Sequence, residues 1–99
     1  MTADDEAVFA ISVAARMASM EIQNLRVYER NGLVSPSRTP GGTRIYSADD
    51  VARLVTIGRL LADGLNLVGI ARVIELEAEV TKLRAANTRL RARLADAPH

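Results

Sequence analysis

The chain has 99 residues and a formal net charge of only +1, which excludes a general polycation and requires any nucleic-acid binding to come from local clustering. Its only aromatics, Phe9, Tyr28 and Tyr46, leave the core to Leu, Ile, Val, Ala and Met, which suits close-packed helices better than a β-sandwich. With no cysteine and His99 as the sole histidine, thiolate metal centres, disulfides and imidazole base chemistry are excluded, and no metal or cofactor is expected.

Residues 1–10 include the acidic tip Asp4, Asp5 and Glu6 and read as a solvated, disordered tail, with nothing apolar to bury before Val8. The longest apolar region, Leu54 to Ile70, is broken by Arg59 and Asp63, and the N-terminus lacks an apolar signal core. Neither a secretion signal nor a membrane span is expected, so the protein should be cytoplasmic. Ser12 precedes Val13, Ala14, Ala15 and Met17 as the N-cap of a short amphipathic helix that ends near Ser19. A second helix starts near Glu21. It sets Ile22 and Leu25 on one face with Glu29 nearby and turns Gln23, Asn24, Arg26, Val27 and Arg30 elsewhere. Gly32 stands where a left-handed C-terminal cap is wanted, and two short helices joined by a tight turn make a helix-turn-helix.

After Gly32 the run Leu33 to Arg38 is too short and too interrupted by proline for a helix. Thr39-Pro40-Gly41-Gly42 carries turn chemistry, and Thr43 to Tyr46 has strand character, which gives a two-stranded wing. Such a hairpin is marginal alone and must lean on the helices or on DNA. Between Leu25 and Tyr46, Arg26, Arg30, Arg38 and Arg44 stand against the single acid Glu29, and both tyrosines fall here. Positive charge and phenolic donors are thus grouped where a nucleic-acid backbone needs them.

Ser47-x-x-Asp50 is a capping-box variant that opens a third helix, with Val51, Leu54, Val55, Gly58 and Leu61 as its apolar face and a stop at Gly64. Asn66 caps a fourth helix with Leu67, Ile70, Val73 and Ile74 on its buried side, and no Pro or Gly follows from Ala71 to Ala97. Val73, Val80, Asn87 and Leu94 recur at heptad a positions, and Leu76, Leu83 and Leu90 at d. The expected layout is mainly α: a winged helix-turn-helix domain over 11–72, a coiled-coil dimerisation helix over 73–95, and a disordered tail over 96–99. Asn87 at an a position suits a parallel pair. An antiparallel overlap centred between Leu83 and Asn87 sets Glu77 against Arg91 and Glu79 against Arg93, so charge permits both.

One ordered set of residues carries a specific resemblance: Leu25, Arg26, Tyr28, Glu29, Gly32, Leu33, Pro36, Arg38, Gly42, Arg44, Tyr46, Asp50 and Val51. It resembles the MerR family of bacterial winged helix-turn-helix regulators, with looser correspondence from Ile11 to Leu76. Val27 stands where an aromatic is usual and Thr43 where Tyr is frequent, so phosphate contacts from those positions are not carried over. The Gly41 to Arg44 turn, the Gly64 to Ile70 segment and the Ile74 to Glu77 run look like the heat-shock repressor branch, HspR. That resemblance implies an antiparallel coil between protomers. It also implies repression of stress or chaperone genes with help from a DnaK-type chaperone.

The expected function is sequence-specific binding of double-stranded DNA by a homodimer on an inverted-repeat operator. Gln23 and Asn24, in the first turn of the second helix, are the candidate base readers, since an amide donates and accepts together at adenine. Arg26 reads guanine or holds phosphate beside Arg30, while Tyr28, Arg38, Arg44 and Tyr46 are candidate backbone clamps. For the two tyrosines, ring packing between wing and helix is the competing reading. Val73, Leu76, Val80, Leu83, Asn87, Leu90 and Leu94 are the candidate dimer contacts. With no effector domain after the coil and no cysteine ligands, a small-molecule or metal inducer is not expected. A protein-binding adaptor on the same scaffold is the alternative, and it has no use for the wing arginines. No nucleophile with a base, phosphate loop or metal cluster marks an enzyme.

Overall fold

Val8–Ala10 forms a short strand, β1, that runs directly into helix α1, Ile11–Met17. The structure is a computed structural model and describes residues 8–97; the acidic tip at Asp4 to Glu6 and the terminal His99 lie outside the described residues. Two expectations change here. The tail placed over 1–10 gives up its last three residues to β1. Ser12 is not the N-cap: Ala10 holds that position with extended backbone and no side-chain cap bond, and Ser12 lies exposed inside the helix. Sheet pairing, not capping chemistry, sets this helix start.

Ala14 and Ala15 are the buried residues of α1, and their small side chains let it pack closely on α2, Ile22–Arg30. The link between them is a left-handed cap on Ser19, at φ +56. Ser19 N–H donates to the Arg16 carbonyl (3.1 Å) and Met20 N–H to the Ala15 carbonyl (2.9 Å), the paired bonds of a Schellman end. Helix α2 ends the same way on Gly32, at φ +74, with Gly32 N–H donating to Glu29 O and Leu33 N–H to Tyr28 O. Leu25 and Tyr28 are its buried anchors.

Strands β2, Ser37–Arg38, and β3, Arg44–Ser47, make the wing. Its turn is closed by Gly42 N–H to Thr39 O (2.8 Å), Thr39 N–H to Thr43 O (2.9 Å) and Thr43 N–H to Thr39 Oγ1 (3.1 Å). The sheet has three strands rather than the expected two, in the antiparallel order β1-β3-β2. β1 pairs Phe9 with Tyr46 and Ala10 with Ile45, so the hairpin gains the support that an isolated one lacks.

Helix α3, Ala48–Ala62, opens on a complete capping box: Asp50 N–H donates to Ser47 Oγ (3.0 Å) and Ser47 N–H to Asp50 Oδ2 (2.9 Å). Its buried residues are Val51, Leu54, Ile57 and Leu60, whereas Val55 and Leu61 are exposed, which corrects the expected face. Steps of three fall about 60° short of a full turn each, so the buried line winds around the helix. It winds because α3 is covered first by β3 and further along by the last helix.

That helix, α4, runs unbroken over Leu67–Ala95, 29 residues, or about 43 Å at 1.5 Å per residue. Asn66 caps it, its Oδ1 accepting from Gly69 N–H at 2.8 Å. Ile70 is fully buried, and Leu67, Ala71, Val73 and Ile74 pack partly against the core of Leu25, Leu33, Val34, Tyr46, Leu54 and Ile57. Beyond Ile74 the helix leaves its own domain, with nearly every side chain exposed.

Candidate nucleic-acid interface

Burial of Leu25 and Tyr28 fixes the roll of α2 and so decides what it presents outward. Gln23, Asn24, Arg26 and Arg30 are all exposed, with the two amides in the first turn. Val27 is half-buried against the core. A neutral donor-acceptor pair therefore leads a helix whose later exposed residues are cationic.

The wing adds two arginines, and they are not independent of α2. Arg38 and Arg44 stand directly opposite each other across β2 and β3. Both reach the same carboxylate: Arg38 Nη2 donates to Glu29 Oε2 at 3.0 Å, and Arg44 Nε donates to Glu29 Oε1. Arg38 Nη1 also donates to the Gly42 carbonyl at 3.1 Å, which ties the turn to the same cluster. The Arg44 hydrogen bond, with both guanidinium charges behind it, holds the Glu29 carboxyl below the usual carboxylate range, and the same bond raises Arg44. Glu29 remains ionised and bridges a helix and both strands of the wing.

Tyr28 and Tyr46 turn inward. Tyr46 is fully buried, and its hydroxyl meets no hydrogen-bond partner among the described residues. It packs as a core ring behind the arginines, so the expected backbone clamp at Tyr46 is corrected: a side chain with no exposed surface does not touch a phosphate. Tyr28 retains 6% exposure. Burial raises both phenols, that of Tyr46 further through the nearby Glu29 charge.

Two further arginines lie outside the expected set. Arg16 is exposed in the last turn of α1, and Arg53 Nη1 donates to the Leu33 carbonyl at 3.3 Å, pinning the loop between α2 and the wing to α3. The Glu29 bridge and the Arg53 tether link residues 9 to 20 positions apart, and no local sequence signal announces such contacts.

Along α4 the a and d residues beyond Val73 present an apolar stripe: Leu76, Val80, Leu83, Leu90 and Leu94 are 41–74% exposed. Val73 is half-buried against its own domain, so the stripe begins in the core and runs out of it. Arg72 pairs with Glu75 of the same helix at 3.4 Å, and Glu77 lies 3.9 Å from Arg59, both contacts solvent-exposed and worth little.

A helix-turn-helix, a sheet-backed wing with paired arginines and a long projecting helix together define a winged helix-turn-helix regulator. Residues 9–77 match the MerR HTH family regulatory proteins, and the chain belongs to that family. It is 48% identical over 92 residues to the heat shock protein HspR of Streptomyces coelicolor, covering 92% of this chain and 61% of that protein. It is 36% identical over 75 residues to the HTH-type transcriptional regulator GlnR of Bacillus anthracis, covering 76% of this chain and 58% of that one. The chain thus spans about three fifths of the length of these relatives. Among solved structures, it superposes with a TM-score of 0.67 on HiNmlR, a MerR family regulator lacking the sensor domain, bound to promoter DNA. That match covers 91% of this chain and 75% of the other at 20% identity, a likeness of fold. GlnR is named as a transcriptional regulator and HiNmlR as a MerR family regulator.

Proposed function

We propose that this protein binds an inverted-repeat operator as a homodimer and represses stress or chaperone genes. The observation that carries the reading is that α2, which exposes Gln23, Asn24, Arg26 and Arg30, is bonded through its Glu29 to Arg38 and Arg44 of the wing. Gln23 and Asn24 enter the major groove and read bases, while Arg26, Arg30, Arg38 and Arg44 hold phosphates. Tyr28 contributes its ring to the packing that sets the angle of α2.

Dimerisation follows from the exposed stripe on α4, which water disfavours and a second copy covers. An antiparallel pairing centred between Leu83 and Asn87 sets Val73 of one copy opposite residue 97 of the other, so the two coil starts lie roughly 36 Å apart at 1.5 Å per residue, close to one turn of B-DNA. That spacing fits the antiparallel arrangement, which the resemblance to the family also implies. The stress-gene target is supported by the similarity to HspR, a heat shock protein by name; the repressor role and a DnaK-type co-repressor are what the resemblance to that branch implies. No helix among the described residues is long and apolar enough to cross a membrane.

A mobility shift on a duplex from the protein's own promoter region tests the reading. Binding at low salt that weakens steeply as salt rises is the expected result. No shift even at low salt would favour a protein-binding adaptor built on the same scaffold.

A further inference from the structure

Two arginines directly opposite in a hairpin repel each other, and like charges at that spacing destabilise the strand pair. Arg38 and Arg44 nevertheless sit in well-formed ladder positions because Glu29 lies between them, one carboxylate oxygen on each. Glu29 belongs to neither strand. It projects from the last turn of α2, so its side chain crosslinks the helix that carries Gln23 and Asn24 to both strands of the wing. Its side chain is 21% exposed, which screens the pair less than open solvent does.

The bonds leave the arginines usable. Arg44 spends its Nε on Glu29 and makes no other side-chain hydrogen bond among the described residues, so its two terminal nitrogens remain for an incoming oxygen. Arg38 spends one terminal nitrogen on Glu29 and the other on the Gly42 carbonyl, and its side chain is still 46% exposed. The cluster as a whole keeps a single positive charge, presented at a fixed offset from the reading helix.

We propose that Glu29 is a positioning residue for DNA binding: it holds Arg38 and Arg44 at a set distance from Gln23 and Asn24, so helix and wing meet the duplex as one rigid surface. The inference rests on the DNA-binding reading above and makes a prediction opposite in sign to simple electrostatics. A carboxylate beside phosphates opposes binding by Coulomb repulsion, so neutralising it should tighten binding if charge alone mattered. Positioning requires the reverse.

The test is fluorescence anisotropy with a labelled duplex enriched from a random pool by the wild-type protein, together with amide exchange on the free protein. Glu29→Gln is expected to weaken binding about tenfold, the weight of one charge-assisted contact, and to lower the salt slope by about one unit. In an Arg38→Ala/Arg44→Ala background the same change is expected to do nothing or to tighten binding slightly. Without DNA, Glu29→Gln should speed exchange of the Thr39, Gly42 and Thr43 amides in the wing turn and spare the amides of α3. Equal or tighter binding by Glu29→Gln, or equal weakening with and without the two arginines, would overturn the proposal. Unchanged exchange in the wing, or exchange faster throughout the domain, would overturn it too, the second by showing that Glu29 holds the fold rather than the arginines. Failure of the wild type to bind any duplex would refute the DNA-binding reading instead, while the exchange experiment still reports whether Glu29 holds the wing.

Discussion

Tyr46 and Glu29 show how much at the residue scale turns on packing. Tyr46 combines full burial with an unpartnered hydroxyl, a combination that costs about 1–3 kcal/mol in general. Tyr46→Phe should therefore raise stability to denaturant by about 1 kcal/mol and leave DNA affinity unchanged; a loss of affinity would restore Tyr46 to the phosphate contacts. Glu29 makes stability depend on pH in a defined direction. Its folded-state ionisation is shifted below the ordinary value, so its contribution is present above the ordinary carboxylate range and fades as acid protonates it. Wild type should be more stable than Glu29→Gln near neutral pH, and denaturation curves of the two should converge as the pH falls below that range. The exposed amides and arginines were legible in the sequence, because local patterning decides which side of α2 faces out. The inward turn of Tyr46 and the double bond to Glu29 were not, since both depend on how the wing folds back onto α2.

At the scale of elements, caps and turns were the readable part. Ser47 with Asp50, Asn66, Gly32 and the Thr39 to Gly42 turn stand where their chemistry puts them. The start of α1 was misplaced because β1 is only three residues long, too short to show alternation, and its pairing with β3 overrides Ser12. The face of α3 was misjudged for a related reason: a straight apolar stripe assumes one neighbour, whereas α3 meets the sheet at one end and α4 at the other. Ser19 adds a feature the pattern did not mark, a left-handed residue with a side chain between the two helices of the motif. Such a backbone costs a non-glycine residue about 1–2 kcal/mol, offset in part by the entropy glycine brings to the unfolded chain. Ser19→Gly should stabilise the domain by about 0.5–1 kcal/mol, seen as a rise of a few degrees in Tm. Destabilisation would mean that the Ser19 hydroxyl makes a bond the fold needs.

At the scale of the whole molecule, the long helix and the weak net charge belong to one argument. On the proposed reading one domain offers few phosphate contacts, and a coil that links two would multiply their effective strength on a single duplex. The heptad was legible because an apolar stripe with no domain beneath it has a period of its own; the orientation was not, since both pairings satisfy the charges. Chains carrying Leu76→Cys should crosslink under oxidation to chains carrying Leu94→Cys and not to their own kind. Efficient Leu76-to-Leu76 crosslinking would establish the parallel coil.

The division of labour between α2 and the wing is most directly tested by the salt dependence of operator binding in Asn24→Ala and Arg44→Ala. Arg44→Ala should weaken binding to every sequence and lower the slope of log K against log salt by about one unit for each copy of Arg44. Asn24→Ala should keep the slope and lose preference at one base position of each half-site. An Arg44→Ala protein with unchanged affinity and slope would contradict the account.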